Sequence, residues 1–154
     1  MNIKAADLVI GDLVMDGDNV AKITGVKCDG TVETTVSQQS NITLISPIPL
    51  TGEFLLFNNF KKLSGDNGII SGEYYFPFTG NSIYKFVTVS IIFYNGDKNM
   101  PYCLVRIDTK NSDGTGMNSV HNCDTKSVNQ FQHLLRDCNL DCLSDNLSWE
   151  CKTD

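Results

Sequence analysis

A single stretch, Ile45-Ser46-Pro47-Ile48-Pro49-Leu50-Thr51, divides this chain into two parts. Its prolines fix φ and remove two backbone donors, so neither a helix nor a central β-strand can pass through it. Each proline also drives the residue before it towards extended geometry, because the proline ring disfavours the helical region there. The stretch therefore predicts a short, stiff, extended connector that ends one structured part and directs the next.

The part before the connector, residues 1–48, has the pattern of a small β unit. Tight-turn clusters at 16–19 and 29–30 separate runs of β-forming residues. These runs lie at 8–15, 20–26, 31–36 and 42–45. Several short strands joined by tight turns predict a small SH3-like β-barrel. The alternative is an open antiparallel sheet that lies on the second part.

A helix is predicted directly after the connector. Thr51 is its expected N-cap, Glu53 suits the positive end of the helix dipole, and Lys61 and Lys62 suit the opposite end. One wide apolar face is formed by Phe54, Leu55, Phe57 and Phe60.

The rest of the chain predicts an antiparallel sheet and a second helix. Strand patterns lie at 69–77, 83–95 and 101–109, with a short further strand at 117–121. The run 83–95 is β-branched or aromatic almost throughout, so we place it at the centre of the sheet. A helix at 126–138, capped by Asp124 or Thr125, carries one apolar stripe: Val128, Phe131, Leu134, Leu135 and Cys138.

The predicted fold class is therefore α+β. An SH3-like β-barrel at 1–48 precedes a unit at 49–154, in which an antiparallel sheet is flanked by two helices. The connector is short, so we expect the two to pack as one compact body.

Composition limits the possible functions. The 154 residues are 41% apolar and 19% charged, which is enough for a real core. The net charge of -6 opposes nucleic-acid binding, because that affinity depends on Lys and Arg neutralising phosphates. No apolar run is long enough to cross a membrane, and no secretory signal opens the chain. We therefore expect a cytoplasmic protein that contacts no membrane.

Three patches resemble a family of small uncharacterised proteins from Bacteroidetes genomes and their phages. Residues 7–14 and 20–26 are similar to the family's two opening strands. Residues 45–56 are similar to its pattern I-x-P-I-P-L-T-E-E-W-L-L, and 128–136 to its terminal V-H-x-L-Q-H/N-L helix. Together the patches span both ends of the chain and the connector, in the family's order.

The chain departs from that family at three positions. Gly52 stands where the family has Glu, Phe54 where it has Trp, and Asn129 where it has His. The glycine weakens the helix start by about 1 kcal/mol on propensity, and the asparagine argues against an essential histidine at that position. Since the family carries no assigned activity, the resemblance implies phage or mobile-element context and architecture rather than chemistry.

Metal ligation is a weak possibility near the C-terminal end. The candidate ligands are His121, Cys123, Cys138 and Cys142, with His133 and Cys151 as further members. Zinc prefers closely spaced ligand pairs, and no C-x2-C pair is present. Cys138 also belongs to an apolar stripe, where a reduced cysteine acts as a small hydrophobic residue. We expect no metal and no cofactor.

Tyrosines provide the candidate partner-binding surface. Tyr74, Tyr75, Tyr84 and Tyr94 lie in or beside the predicted strands, and tyrosine is enriched at protein interfaces. The competing interpretation assigns these side chains to the core and to the ordinary sheet surface.

No catalytic constellation is recognisable, so the sequence favours a protein that is not an enzyme. The first hypothesis is a phage or mobile-element accessory protein that binds a host or phage protein, or itself. The alternative is a protein that binds or sequesters a small molecule such as a nucleotide signal. An SH3-like nucleic-acid-binding module is a third hypothesis, disfavoured by the charge.

Overall fold

The computed structural model describes residues 3–64, 70–77, 85–93, 101–110 and 116–150. Within them the chain is an α+β protein, as predicted, and it contains two antiparallel sheets and few helices. It divides into two units, one formed by 1–49 together with 127–154 and the other by 50–126. The predicted division placed the last helix with the second unit, whereas the structure groups it with the N-terminal strands. Packing of the two units as one body stays a prediction.

The elements follow one another in chain order. The strands are β1 (Leu13–Asp16), β2 (Asn19–Val26), β3 (Val32–Thr34), β4 (Ile45–Pro47), β5 (Lys61–Ser64), β6 (Ile70–Tyr75), β7 (Lys85–Phe93), β8 (Pro101–Lys110) and β9 (Met117–Thr125). The α-helices are α1 (Gly52–Phe57), α2 (Val128–Asp137) and α3 (Asp141–Asp145). Short 3-10 turns cover Ala5–Asp7 and Ile42–Leu44.

The first unit contains a four-stranded sheet in the order β3-β2-β1-β4. In the described part of the chain β3 and β4 do not pair, so the sheet is open and the predicted SH3-like barrel is not confirmed. The strands do pair with their chain neighbours as expected of tight turns, and the register shifts between Ile23 and Gly25. A glycine at such a shift is typical of a β-bulge.

The proline-rich connector begins as an edge strand. Among the described strands β4 pairs with β1 alone, and Pro47 lies opposite Val14. A proline is tolerated there because an edge strand need not donate on its outer side. The start of the connector is therefore extended, as predicted, and it also forms the edge of a sheet, which the sequence did not predict.

The core of the first unit joins the sheet to the C-terminal helices. A buried cluster comprises Leu8, Val14, Ile23, Val32 and Ile45. From α2, the buried apolar side chains are Val128, Phe131 and Leu135, which confirms most of the predicted stripe. The helix begins after Ser127, not after Asp124 or Thr125, because the preceding residues extend β9. Leu143 in α3 and Leu147 just after it are buried as well, and the sequence did not predict α3.

The second unit contains a five-stranded sheet in the order β5-β6-β7-β8-β9. β7 is the central strand, as predicted. Val87 lies opposite Ile107 and Val89 opposite Val105, and all four side chains are buried. These cross-strand pairs form the apolar face of the sheet.

Helix α1 is shorter than predicted. Thr51 caps it as expected, with Oγ1 accepting a hydrogen bond from the Phe54 amide at 3.2 Å. Asn58 Nδ2 donates to the Phe54 carbonyl at 2.9 Å, and Asn59 adopts φ 65°. A left-handed residue ends a helix. The prediction that Lys61 and Lys62 end this helix is therefore wrong, and they lie in β5.

The chain leaves the first unit after Pro49 and returns to it at Ser127. These two residues form an antiparallel bridge. Beside them, the Val128 amide donates to the Ile48 carbonyl at 2.8 Å, and the Leu50 amide donates to the Lys126 carbonyl at 3.1 Å. The outgoing and returning segments are thus paired with each other.

Candidate functional site

Strand β9 is a long and exposed edge of the five-stranded sheet. It contains nine residues, and on its inner side it pairs with β8. Residues 118–121, 123 and 124 are exposed, so side chains on both faces of the strand reach solvent. No strand in the described residues pairs with its outer side. A row of backbone donors and acceptors on such an edge can accept another extended chain.

An apolar row of the sheet ends at this edge. The register places Val87 opposite Ile107, and Ile107 opposite Val120. Val87 and Ile107 are each 1% exposed, whereas Val120 is 38% exposed. A strand added beside β9 would extend this row and cover Val120.

The opposite edge of the sheet has a different composition. β5 contains only four residues, and its Lys61 and Lys62 are exposed. Short length and lysines are the usual means by which proteins protect an edge from pairing. β9, with the sequence MNSVHNCDT, contains no lysine or arginine and is more than twice as long. Of the two edges of this sheet, β9 is therefore the one whose length and composition suit pairing with another strand.

Charges behind β9 are neutralised within the sheet. The Asp108 carboxylate is buried, accepts a short hydrogen bond from the Ser119 hydroxyl, and pairs with Arg106 Nε at 2.8 Å. Arg106 lies opposite His121 in the register. Since these charges are already paired, the edge offers its backbone and small side chains rather than a charged site.

The predicted tyrosine surface is only partly described. Tyr74 is 7% exposed, so it belongs to the core, and burial raises the pKa of its hydroxyl. The expectation of an exposed binding side chain therefore does not hold for Tyr74. Tyr75 is half-buried. Tyr84 and Tyr94 lie outside the described residues.

The metal candidates are not brought into a cluster. His121 and Cys123 lie on β9, while Cys138 caps the end of α2 and Cys142 lies in α3. Among the residues that the structure describes, no three His, Cys, Asp or Glu side chains are grouped closely enough to hold a metal ion. Burial, followed by the charge of Asp137, raises the pKa of the Cys138 thiol and keeps it protonated. Cys151 lies outside the described residues.

A charge cluster that the sequence did not predict lies in the first unit. Asp12 is fully buried and pairs with Arg136 Nη1 at 2.8 Å. Its carboxylate also contacts His133 Nε2 at 2.8 Å and accepts a hydrogen bond from the Val9 amide at 2.8 Å. The partners are 121 and 124 positions away in sequence, so no local pattern could reveal them.

This cluster resembles the acid–histidine pair of some active sites but lacks the other components. The Asp12 carboxylate occupies His133 Nε2, so Nδ1 is the ring nitrogen that a reacting group would have to approach. Nucleophilic catalysis also needs a hydroxyl or thiol beside that nitrogen. No hydroxyl or thiol of the described residues hydrogen-bonds to His133. The arrangement is that of a buried, fully paired carboxylate that joins the turn before β1 to α2.

Gln132 reinforces the same junction. Its side chain is fully buried, and its Oε1 accepts a hydrogen bond from the Leu13 amide at 2.7 Å. Its Nε2 donates to the carbonyls of Gly11 at 3.1 Å and Ser144 at 3.2 Å. One amide thus satisfies three backbone groups from two segments, residues 11–13 and α3, which is a structural function.

A polar cavity of about 350 Å³ lies beside the turn between β2 and β3. Its lining comprises Asp29, Gly30, Thr31, Gln39, Ser40, Asn41 and Ile42. Hydrogen bonds from Thr31 lower the pKa of the Asp29 carboxyl, which favours its charged form. A lining with an acid and no lysine or arginine repels the phosphates of a nucleotide. The cavity therefore does not favour the nucleotide-binding hypothesis.

Membrane spanning by a helix has no support in the described residues, since none of their helices has the length and apolar character to cross a bilayer. No protein-family model matches the chain, and no curated protein or solved structure matches it either. The resemblance to the Bacteroidetes family therefore stays a prediction.

Proposed function

We propose that this protein is not an enzyme and acts by protein–protein binding, with an extended segment of another chain pairing beside β9. The observation that carries the proposal is the contrast between the two edges of one sheet. β5 is short and carries two exposed lysines, whereas β9 is long, exposed and contains no lysine or arginine. Natural proteins protect sheet edges that must stay unpaired, so a long edge without lysines is expected to pair with another chain.

Strand addition supplies affinity through the backbone and selectivity through side chains. The incoming chain forms main-chain hydrogen bonds with alternate residues of β9, so affinity depends little on its sequence. Selectivity comes from the side chain that lies next to Val120, which ends a buried apolar row. The preferred partner is therefore an extended segment with an apolar residue at that point and without acidic neighbours, because the chain is itself acidic.

The family resemblance adds a biological setting to this proposal. On that resemblance we propose an accessory protein of a phage or mobile element, with a host or phage protein as its partner. The paired charges of Asp12 and Asp108 support a non-enzymatic role, because each is taken up by internal contacts.

The test is binding of extended peptides to the purified protein. A random heptapeptide display library should yield binders that slow amide hydrogen exchange within 117–125. Val120→Lys should weaken that binding by at least tenfold. Val26→Lys is the matched control, because Val26 has the same 38% exposure but lies in the other sheet. Binders that protect a different segment, or that bind Val120→Lys unchanged, would refute the proposal.

A further inference from the structure

We infer that the occupant of the β9 edge is a second copy of this chain. The two β9 strands pair antiparallel about a two-fold axis that lies midway between Val120 and Val120 of the second copy, and the two five-stranded sheets become continuous. This inference rests on the proposed use of β9 and names a partner for it.

The position of the axis follows from strand geometry. Residues directly opposite each other in an antiparallel pair lie on the same face of the sheet. Under two-fold symmetry one residue must then lie opposite its own copy, with the axis midway between them, and cannot lie opposite the copy of its sequence neighbour. With the axis at Val120, the valine lies opposite Val120 of the second copy. The row Val87, Ile107, Val120 then continues into the same row of the second copy.

Other candidate axes are less favourable. An axis at His121 places its imidazole opposite itself and places Val120 opposite the amide of Asn122. This axis leaves Val120 without an apolar neighbour across the junction. The axis at Val120 is therefore the one that completes the apolar face.

Charge along the strand is compatible with self-pairing. The symmetric window 117–123 contains no Asp, Glu, Lys or Arg, so no carboxylate or ammonium faces its own copy. Asp124, the acidic residue of β9, falls outside this window. The nearest charged pair, Arg106 and Asp108, is neutralised on β8. An acidic chain can thus pair with itself at this edge without acidic repulsion across it.

The junction is small, so the dimer is weak. Two strands that meet edge to edge bury less than the roughly 1,200 Å² of a standard stable interface. We expect dissociation constants on the order of micromolar or weaker. The population of dimer should therefore depend on concentration and on partners that compete for β9.

Sedimentation equilibrium over a wide concentration range tests this inference. The mass of the intact chain should rise from 17.0 kDa towards twice that value. Val120→Lys and Val120→Glu should each remain monomeric, since each places like charges opposite each other at the axis. An equimolar mixture of the two should regain the dimer, because lysine then faces glutamate. Val26→Lys should dimerise like the unaltered chain, although it carries the same added charge.

Three outcomes would overturn the inference. They are a chain that stays monomeric at millimolar concentration, a Val120→Lys protein that dimerises normally, and a mixture of the two variants that stays monomeric. Restored association in the mixture would also show that both variants are folded. A monomeric chain that still binds extended peptides at β9 would exclude self-pairing and leave the proposed function standing.

Discussion

The hydroxyl of Tyr74 occupies the space into which a Cβ at Gly52 would project. Tyr74 Cζ would lie 2.8 Å from that Cβ, which is closer than real Cβ contacts. Gly72, in β6, also lies close to this side chain, because a Cβ there would be 2.9 Å from the Tyr74 hydroxyl. The start of α1 and the strand β6 can therefore approach each other only because both positions are glycine.

Gly52→Ala should consequently destabilise the protein, even though alanine is the better helix former by about 1 kcal/mol. Overpacking against a buried tyrosine costs about 1–3 kcal/mol, and we expect a net loss within that range. Urea unfolding monitored by circular dichroism measures it. Tyr74→Phe removes the obstructing oxygen, so Gly52→Ala should cost less in the Tyr74→Phe background. Equal costs in both backgrounds would contradict the steric explanation.

This pair shows where sequence reasoning reaches its limit. The sequence shows that Gly52 is an unfavourable residue for the start of a helix. The reason that a glycine is needed there is Tyr74, which lies on a strand later in the chain. Local chemistry was sufficient for Thr51 as a cap and for the extended conformation of the proline connector, because those effects act between neighbours. It was insufficient wherever the partner is distant in sequence.

Short elements and polar strands were also beyond the sequence pattern. α3 contains five residues, which is too few to show helical periodicity. β9 was predicted to end at residue 121 but continues to Thr125. The prediction stopped short because the polar residues of this strand do not alternate with apolar ones as in a half-buried strand. The candidate binding edge was missed for that reason. The absence of lysine from residues 117–125 is the sequence signal that could have identified this edge.

Asp12→Asn should strongly destabilise the first unit. The substitution removes a buried negative charge and leaves Arg136 beside a neutral amide, and breaking a buried ion pair from one side costs about 3–5 kcal/mol. We expect a loss of at least about 2 kcal/mol, because the amide oxygen can still accept a hydrogen bond. Asp18→Asn, at an exposed turn, is the control and should change stability by less than about 0.5 kcal/mol. Similar losses in both variants would show that Asp12 is not a structural centre.

Gln132→Leu should show how much one buried amide contributes. Leucine has a similar size, but it leaves the Leu13 amide and the Gly11 carbonyl without this partner, while the Ser144 carbonyl still accepts from the Leu147 amide. Each unsatisfied buried group costs about 1–3 kcal/mol, so we expect a loss of about 2–4 kcal/mol in urea unfolding. Native-state hydrogen exchange should show the Leu13 amide exchanging faster. Gln38→Leu, at an exposed position, should leave both measurements nearly unchanged.

Cys103 should make the protein less stable at high pH. Burial raises the pKa of its thiol from 9.0 to about 12, and its Sγ lies 3.5 Å from the Leu50 carbonyl, to which it can donate. Above pH 9 the unfolded chain loses this proton while the folded chain keeps it, so stability is fully present below pH 9 and declines as the pH rises towards 12. The decline from this group is about 1.4 kcal/mol per pH unit. Cys103→Val keeps an apolar side chain and removes the titrating group, so its unfolding free energy should fall less steeply between pH 9 and 11. Parallel pH profiles for the two proteins would contradict the assignment of this effect to Cys103.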